Sequence, residues 1–162
     1  MTFVAKKSLG QNFLNDNKVI KIIADLGKID RNDFILEVGA GTGNLTEKIL
    51  EQSPKKLFVI EKDQRLALYL NEKFGDKINI FNEDMMKFEY ERYFKDKLII
   101  FGNLPYNIST QILAKWIRVK NLESFCKKFI LMFQKEVADR IIAETNTKNY
   151  GRLSILSNWK MR

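Results

Sequence analysis

The sequence predicts an α/β fold, a mainly parallel sheet flanked by helices, and three observations predict it. Short apolar runs alternate with segments of helical composition along most of the chain. A glycine turn, Gly39-Ala-Gly-Thr-Gly43, joins the first of those runs to a helix. Acidic and amide residues stand just past the ends of successive runs, where an open parallel sheet forms its ligand crevice.

The elements follow in order. A helix over 18–26 precedes the strand Phe34-Ile-Leu-Glu-Val38, and the glycine turn leads into a helix over 44–52. Leu57-Phe-Val-Ile60 starts a strand over 57–61, followed by a helix over 63–74 and a strand over 78–82 containing Ile78-Asn-Ile-Phe81. A strand over 97–102, a helix over 109–118, a strand over 128–133 and a helix over 135–144 complete the alternation. Leu153, Leu156 and Trp159 then recur at helical spacing and predict a further helix running to Arg162. The 162 residues, 45% of them hydrophobic, suit one domain with its own core.

Glycines suit the first turn because a ligand can approach a backbone closely where no Cβ intervenes. Glu61, 18 residues beyond Gly43, ends the second strand, where a carboxylate can accept both hydroxyls of a ribose. Asp84, after the third strand, is placed to meet the amino edge of an adenine. Each acid alone reads more simply as a solvated surface charge. Following two successive strands, with the glycines before and Asn103 after, they read as one nucleotide crevice. The glycine spacing is G-x-G-x-G opened by Glu37, not the G-x-G-x-x-G that cradles a pyrophosphate, and this favours S-adenosylmethionine over NAD.

Asn103-Leu104-Pro105-Tyr106 points from nucleotide binding to a reaction. An exocyclic amine conjugated to a purine is a poor nucleophile because its lone pair is delocalised into the ring. Two acceptors aimed at its protons, the Asn103 side-chain oxygen and the Leu104 carbonyl, favour the pyramidal, nucleophilic form. Pro105 biases Leu104 toward an extended conformation that aims this carbonyl. Tyr106 offers a ring face on which a base can stack, and Phe133, at the end of Phe129-Ile-Leu-Met-Phe133, is a candidate for a second face. The plainer alternatives are a proline turn for the four residues and a core position for Phe133. Gln11-Asn12-Phe13-Leu14 precedes the first helix, either as an ordinary helix entry or as a strap through which Asn12 and Leu14 close over a cofactor.

The absence of histidine excludes imidazole acid–base chemistry and histidine-liganded metal, and the single cysteine, Cys126, can form neither an intrachain disulfide nor a thiolate cluster. Cys126 reads as a small buried apolar residue. The remaining chemistry is direct displacement, an amine attacking a sulfonium methyl, for which the protein supplies positioning, desolvation and amine polarisation. No metal is called for.

With 28 Lys and Arg against 20 Asp and Glu, the chain carries a formal charge of +8. The excess is concentrated: residues 110–162 hold 11 basic and 4 acidic residues, whereas 1–109 hold 17 and 16. Such a distribution suits a phosphate backbone, although solvated lysines alone would produce it too. No run is long and apolar enough for a membrane span and the first residues carry no apolar signal region, so a cytoplasmic location is expected.

Taken in order, Gln11-Asn-Phe-Leu14, Glu37-Val-Gly-Ala-Gly-Thr-Gly43, Glu61-Lys-Asp63, Glu83-Asp84-Met85, Asn103-Leu-Pro-Tyr106, Gln134-Lys-Glu-Val137 and Tyr150-Gly-Arg-Leu-Ser154 resemble the ribosomal RNA adenine dimethyltransferase family, in particular its small-subunit branch. The resemblance implies a Rossmann-like class I S-adenosylmethionine-dependent methyltransferase. It further implies transfer of four methyl groups to N6 of two adjacent adenosines near the 3′ end of small-subunit ribosomal RNA. Carried over position by position, the family's cofactor contacts fall on Asn12, Leu14, Gly39, Glu61, Asp84 and Asn103. The partner implied is the small ribosomal subunit. A sister branch acting on large-subunit RNA and a non-catalytic RNA-binding assembly factor on the same fold are the alternatives. The family's sheet closes with a further antiparallel pair and is followed by a helical domain. Residues 1–162 are therefore expected to be a catalytic domain lacking both, with an exposed sheet edge and reduced stability or self-association.

Overall fold

Five strands pair in parallel in the order β3-β2-β1-β4-β5. They are β1 (Phe34–Val38), β2 (Lys56–Ile60), β3 (Asn79–Phe81), β4 (Leu98–Asn103) and β5 (Cys126–Met132). The computed structural model describes residues 3–161; Met1, Thr2 and the end of the expected C-terminal helix at Arg162 lie outside them. The helices are α1 (Asn17–Leu26), α2 (Asn44–Glu51), α3 (Gln64–Phe74), α4 (Tyr90–Tyr93), α5 (Ser109–Ile117), α6 (Leu122–Phe125), α7 (Lys135–Ile141) and α8 (Arg152–Lys160).

The strands read as apolar runs because both sheet faces are covered. Alternate side chains supply two cores. Ile35, Leu57, Val59, Ile99 and Phe101 pack with Ile20 and Ile23 of α1, Leu45 and Ile49 of α2 and Leu70 of α3. Leu36, Val38, Ile60, Leu98 and Ile100 pack on the opposite face with Met85, Phe88, Tyr90 and with Ile112 and Trp116 of α5. Capping fixes where two helices begin. The Asp16 carboxylate accepts from the Lys18 and Val19 amides at the start of α1, and that of Asp63 from the Arg65 amide at the start of α3.

Strand order reverses between β1 and β4, where Val38 lies opposite both Ile60 of β2 and Gly102 of β4. Gly39, Glu61 and Asn103 accordingly meet at the carboxyl ends of adjacent strands, the place where such sheets bind ligands.

Four-residue α4 and α6 were not expected, and helix 135–144 is shorter than predicted, ending at Ile141. In α8 the buried positions are Ser154 and Ser157, while Trp159 is 70% exposed. The Ser154 hydroxyl accepts from the Gly151 amide at 3.1 Å and donates to the Arg140 carbonyl at 2.6 Å, so small polar residues, not the apolar repeat, form the packed face. Ile142 and Ile155 are exposed as well. On β5, described residues pair with one edge only, that facing β4.

Much of the basic excess beyond residue 110 is spent inside the molecule. Lys127 pairs with Asp33 at 2.6 Å, Lys128 donates to the Leu26 and Gly27 carbonyls, and Lys160 to that of Val119. Arg118, Lys120, Arg140, Lys148 and Arg152 are exposed.

Candidate active site

One open cavity lies at the carboxyl ends of β1, β2 and β4, and its walls include Asn12, Leu14, Gly39, Glu61, Asp84 and Asn103. Leu104 and Pro105 line it too. The sequence-predicted cofactor residues are thus brought together from positions up to 91 residues apart by the switch point and by a strap that crosses it.

The strap is tied at three places. Gln11 Nε2 donates to Asp63 Oδ2 at 3.1 Å, and Lys6 Nζ reaches the same carboxylate at 3.4 Å. Asn44 Nδ2, at the start of α2, donates to the Leu14 carbonyl at 2.9 Å. Asn12 makes the third tie: its carbonyl accepts from Asn103 Nδ2 at 2.8 Å and its own Nδ2 donates to the Tyr106 hydroxyl at 2.7 Å. Of the two ends of a side-chain amide only the N–H can donate to a carbonyl, so the Asn12 contact fixes the Asn103 amide with its nitrogen toward the strap. Asn103 Oδ1 is left as the acceptor.

Glu61 is 6% exposed and held on both oxygens, Oε2 by the Gly41 amide at 3.1 Å and Oε1 by the Asp63 amide at 2.9 Å. Burial pushes its pKa up, against those amides, which favour the ionised form. Asp84 has one oxygen on Lys62 Nζ at 2.8 Å and the other on the Met86 amide at 2.9 Å, and the Lys62 bond leads in holding its pKa below the usual carboxylate value. Glu37, within β1, is buried; Thr46 donates to it at 2.7 Å, yet desolvation lifts its pKa to about 7.

The glycines of the turn are also closely packed by the protein itself. A Cβ at Gly39 would meet the Asn103 carbonyl at 3.3 Å, one at Gly41 the Phe13 ring of the strap at 3.1 Å, and one at Gly43 the Leu70 and Phe74 side chains of α3 at 2.7 Å. All three have positive φ. A side chain at any of the three would thus obstruct close protein packing around the crevice, whose wall includes Gly39 and Gly41.

Tyr106 is 43% exposed and lies outside the cavity wall, joined to it through Asn12. Phe133 follows β5, in which Met132 lies opposite Asn103, but it is half-buried against the core on the α5 face and does not line the cavity. Cys126, at the other end of β5, has its thiol pushed up to about 12 by burial, which makes it unreactive at neutral pH. Sequence reasoning did not single out Gln11, Asn44 or Lys62 as partners of the site. They act through polar contacts between distant segments, which carry no local signal.

Among the described residues no group of three or more His, Cys, Asp or Glu could hold a metal ion, and no helix is long and apolar enough to cross a membrane.

Comparison with known proteins agrees with the geometry. The family model for ribosomal RNA adenine dimethylase matches residues 2–162. Ribosomal RNA small subunit methyltransferase A of Pelagibacter ubique is 55% identical over 97% of this chain and 60% of its own length. The protein of that name from Ehrlichia ruminantium is 44% identical over 94% of this chain and 58% of its own. The chain therefore spans a little under two thirds of the length of these relatives. Among solved structures, a dimethyladenosine transferase from Plasmodium falciparum superposes with a TM-score of 0.79 at 31% identity, over 91% of this chain and 52% of that one. The 23S rRNA methyltransferase ErmE does so with 0.73 at 28% identity, over 90% of this chain and 55% of that one. The sheet order, the switch-point cavity and these matches lead to one conclusion: the chain belongs to the ribosomal RNA adenine dimethylase family.

Proposed function

We propose that residues 1–162 form the catalytic domain of a cytoplasmic enzyme that transfers methyl groups from S-adenosylmethionine to N6 of two adjacent adenosines near the 3′ end of small-subunit ribosomal RNA. Its product is N6,N6-dimethyladenosine, and its partner is the small ribosomal subunit. The observation that carries this reading is the Asn103 amide. Its nitrogen is committed to the Asn12 carbonyl, which turns Oδ1 into an acceptor at the mouth of a cavity whose walls suit an adenosyl ligand.

The residues present fit that cofactor. A buried Glu61 carboxylate, preset by two backbone amides, suits ribose hydroxyls, and Asp84 suits an adenine amino edge. When bound, S-adenosylmethionine supplies a methyl group made electrophilic by its sulfonium. Asn103 Oδ1 and the Leu104 carbonyl accept the two protons of the target amine and favour its pyramidal form, while the strap excludes water. The proton leaves to solvent after transfer, so no strong base is needed. Tyr106, exposed at the rim, offers a face for a base turned out of its RNA stack, and Phe133 stands one strand away as a second candidate. The exposed Arg118, Lys120, Arg140, Lys148 and Arg152 are candidates for phosphate contacts.

Calorimetric titration with S-adenosylmethionine and separately with NAD tests the cofactor, and saturable binding of the former alone is expected. Incubation of the protein with unmethylated small subunits, large subunits and adenine-containing DNA, followed by mass spectrometry of the nucleosides, tests the substrate. Dimethyladenosine in small-subunit RNA is expected, with Asn103→Ala abolishing it and leaving the fold intact. Preferential modification of large-subunit RNA would favour the alternative that the likeness to ErmE raises. Near-normal transfer by the Asn103→Ala protein would remove the polarising role.

A further inference from the structure

We propose that Lys115 is a positioning residue that sets adenine recognition, by holding the turn that presents Asp84 to the cavity. This deepens the cofactor reading above and rests on it.

Lys115 projects from α5 and its ammonium donates to three backbone carbonyls of one turn: Met85 at 3.1 Å, Met86 at 3.0 Å and Phe88 at 2.7 Å. The ammonium also lies 5.2 Å from the centroid of the Tyr90 ring. Three carbonyl oxygens converging on one point repel one another, and a cation with three tetrahedral donors is what allows them to converge. The same turn is wound around Asp84. Its side chain accepts from the Met86 amide, and its carbonyl accepts from the Lys87 amide at 2.8 Å and the Phe88 amide at 3.0 Å. Two of the carbonyls that Lys115 gathers, those of Met85 and Met86, therefore share peptide groups with the Met86 and Lys87 amides that orient Asp84, and Phe88 gives its amide to Asp84 and its carbonyl to Lys115.

Helix α5 has a second duty. It begins at Ser109, separated by two residues from the Asn103–Tyr106 loop, and the Ile108 amide donates to the Pro105 carbonyl at 3.1 Å. One helix thus carries the loop that would polarise the target amine and, through Lys115, the turn that would read the cofactor's adenine. Ile112 and Trp116 of α5 pack in the same core as Met85 and Phe88, so the ammonium adds direction to a contact that apolar packing already maintains. Removing it frees the turn to rotate while the core stays closed.

Paired ligands provide the test. S-adenosylhomocysteine presents an adenine amine to Asp84. Its deaminated form, S-inosylhomocysteine, presents a 6-oxo oxygen whose lone pairs face the carboxylate. Calorimetry on the wild-type chain is expected to show preference for the amino ligand by at least about tenfold, the scale of one hydrogen bond to a charged group. In Lys115→Met that preference is expected to fall below about threefold, mainly through weaker binding of the amino ligand, with the 6-oxo ligand little changed. Amide exchange at Met86, Lys87 and Phe88 is expected to accelerate in the variant relative to the β1 and β4 amides.

Should Lys115→Met fail to fold, Lys115→Arg carries the same test, because a planar fork cannot meet three carbonyls from one atom. A wild-type preference ratio in either folded variant would overturn the proposal, as would equal weakening of both ligands, which is the signature of a purely structural role. A wild-type chain that binds both ligands equally would instead overturn the assignment of Asp84 to the adenine edge. Binding of neither would overturn the cofactor reading, so the failures are distinguishable.

Discussion

Glu37 gives the chain an unusual dependence of stability on pH. Its carboxyl sits within β1 at 2% exposure, with the Thr46 hydroxyl donating to it at 2.7 Å. Desolvation dominates and the nearby Glu61 adds to it, so the pKa rises from an ordinary 4.5 to about 7. A carboxyl whose folded pKa lies above its unfolded value holds its proton better in the folded state. Its contribution is therefore complete below pH 4.5 and is lost as pH rises through 7. At about 1.36 kcal/mol per pKa unit the shift corresponds to roughly 3 kcal/mol. Glu37→Gln keeps the size of the side chain and an acceptor for Thr46 but cannot ionise. Urea unfolding of both proteins at pH 5, 6, 7 and 8 is the assay. Relative to the variant, wild type is expected to lose up to roughly 3 kcal/mol over that range, a midpoint shift of roughly 1.5 M for a typical slope of about 2 kcal/mol/M. Glu61, shifted in the same direction, remains in both proteins and contributes a common slope. Parallel midpoint curves would refute the reasoning.

Two further substitutions separate packing from binding around the same crevice. Gly43→Ala places a Cβ 2.7 Å from the Leu70 and Phe74 side chains at φ +79, and a loss of about 1–3 kcal/mol in unfolding free energy is expected; an unchanged midpoint would show that α2 and α3 part without strain. Gln11→Ala removes both the bond to Asp63 and the acceptor for the Lys6 amide, so faster amide exchange across residues 6–14 is expected with global stability within about 0.5 kcal/mol of wild type. Unchanged exchange there would mean that the Asn12 and Asn44 ties hold the strap by themselves.

The strands were legible because both faces of the sheet are buried, so that runs such as Phe34–Val38 and Leu98–Phe101 stand out without periodicity. Gly39, Glu61, Asp84 and Asn103 were legible as strand-end residues, and a parallel sheet gathers all strand ends on one side. Four-residue helices such as Leu122–Phe125 have too few turns to show a period. The apolar repeat of α8 misled about its inner face, since Ser154 is buried with its hydroxyl hydrogen-bonded to the Arg140 carbonyl and Ser157 is small enough to be buried beside it on the same face. Net charge, in turn, does not distinguish cations bound within the fold from those at the surface. Lys115, Lys127, Lys128 and Lys160 add to the basic count, yet each is bound to groups within the fold. The glycine turn was legible from its spacing, whereas its close packing against Asn103, Phe13, Leu70 and Phe74 joins distant segments and carries no local signal.

The pairing of β1 with β4 makes the sheet a gauge for the proposed reaction. Val38 is level with Gly102, so the strand that leads into Gly39 and the strand that ends in Asn103 are set to the same mark. One notch on that gauge is the rise of a single residue, about 3.3 Å. Reacting atoms must approach to about 3–3.5 Å, so a slip of one notch spans the whole working distance. Substitutions that strain this ladder would leave donor and acceptor each correctly built and out of reach of one another.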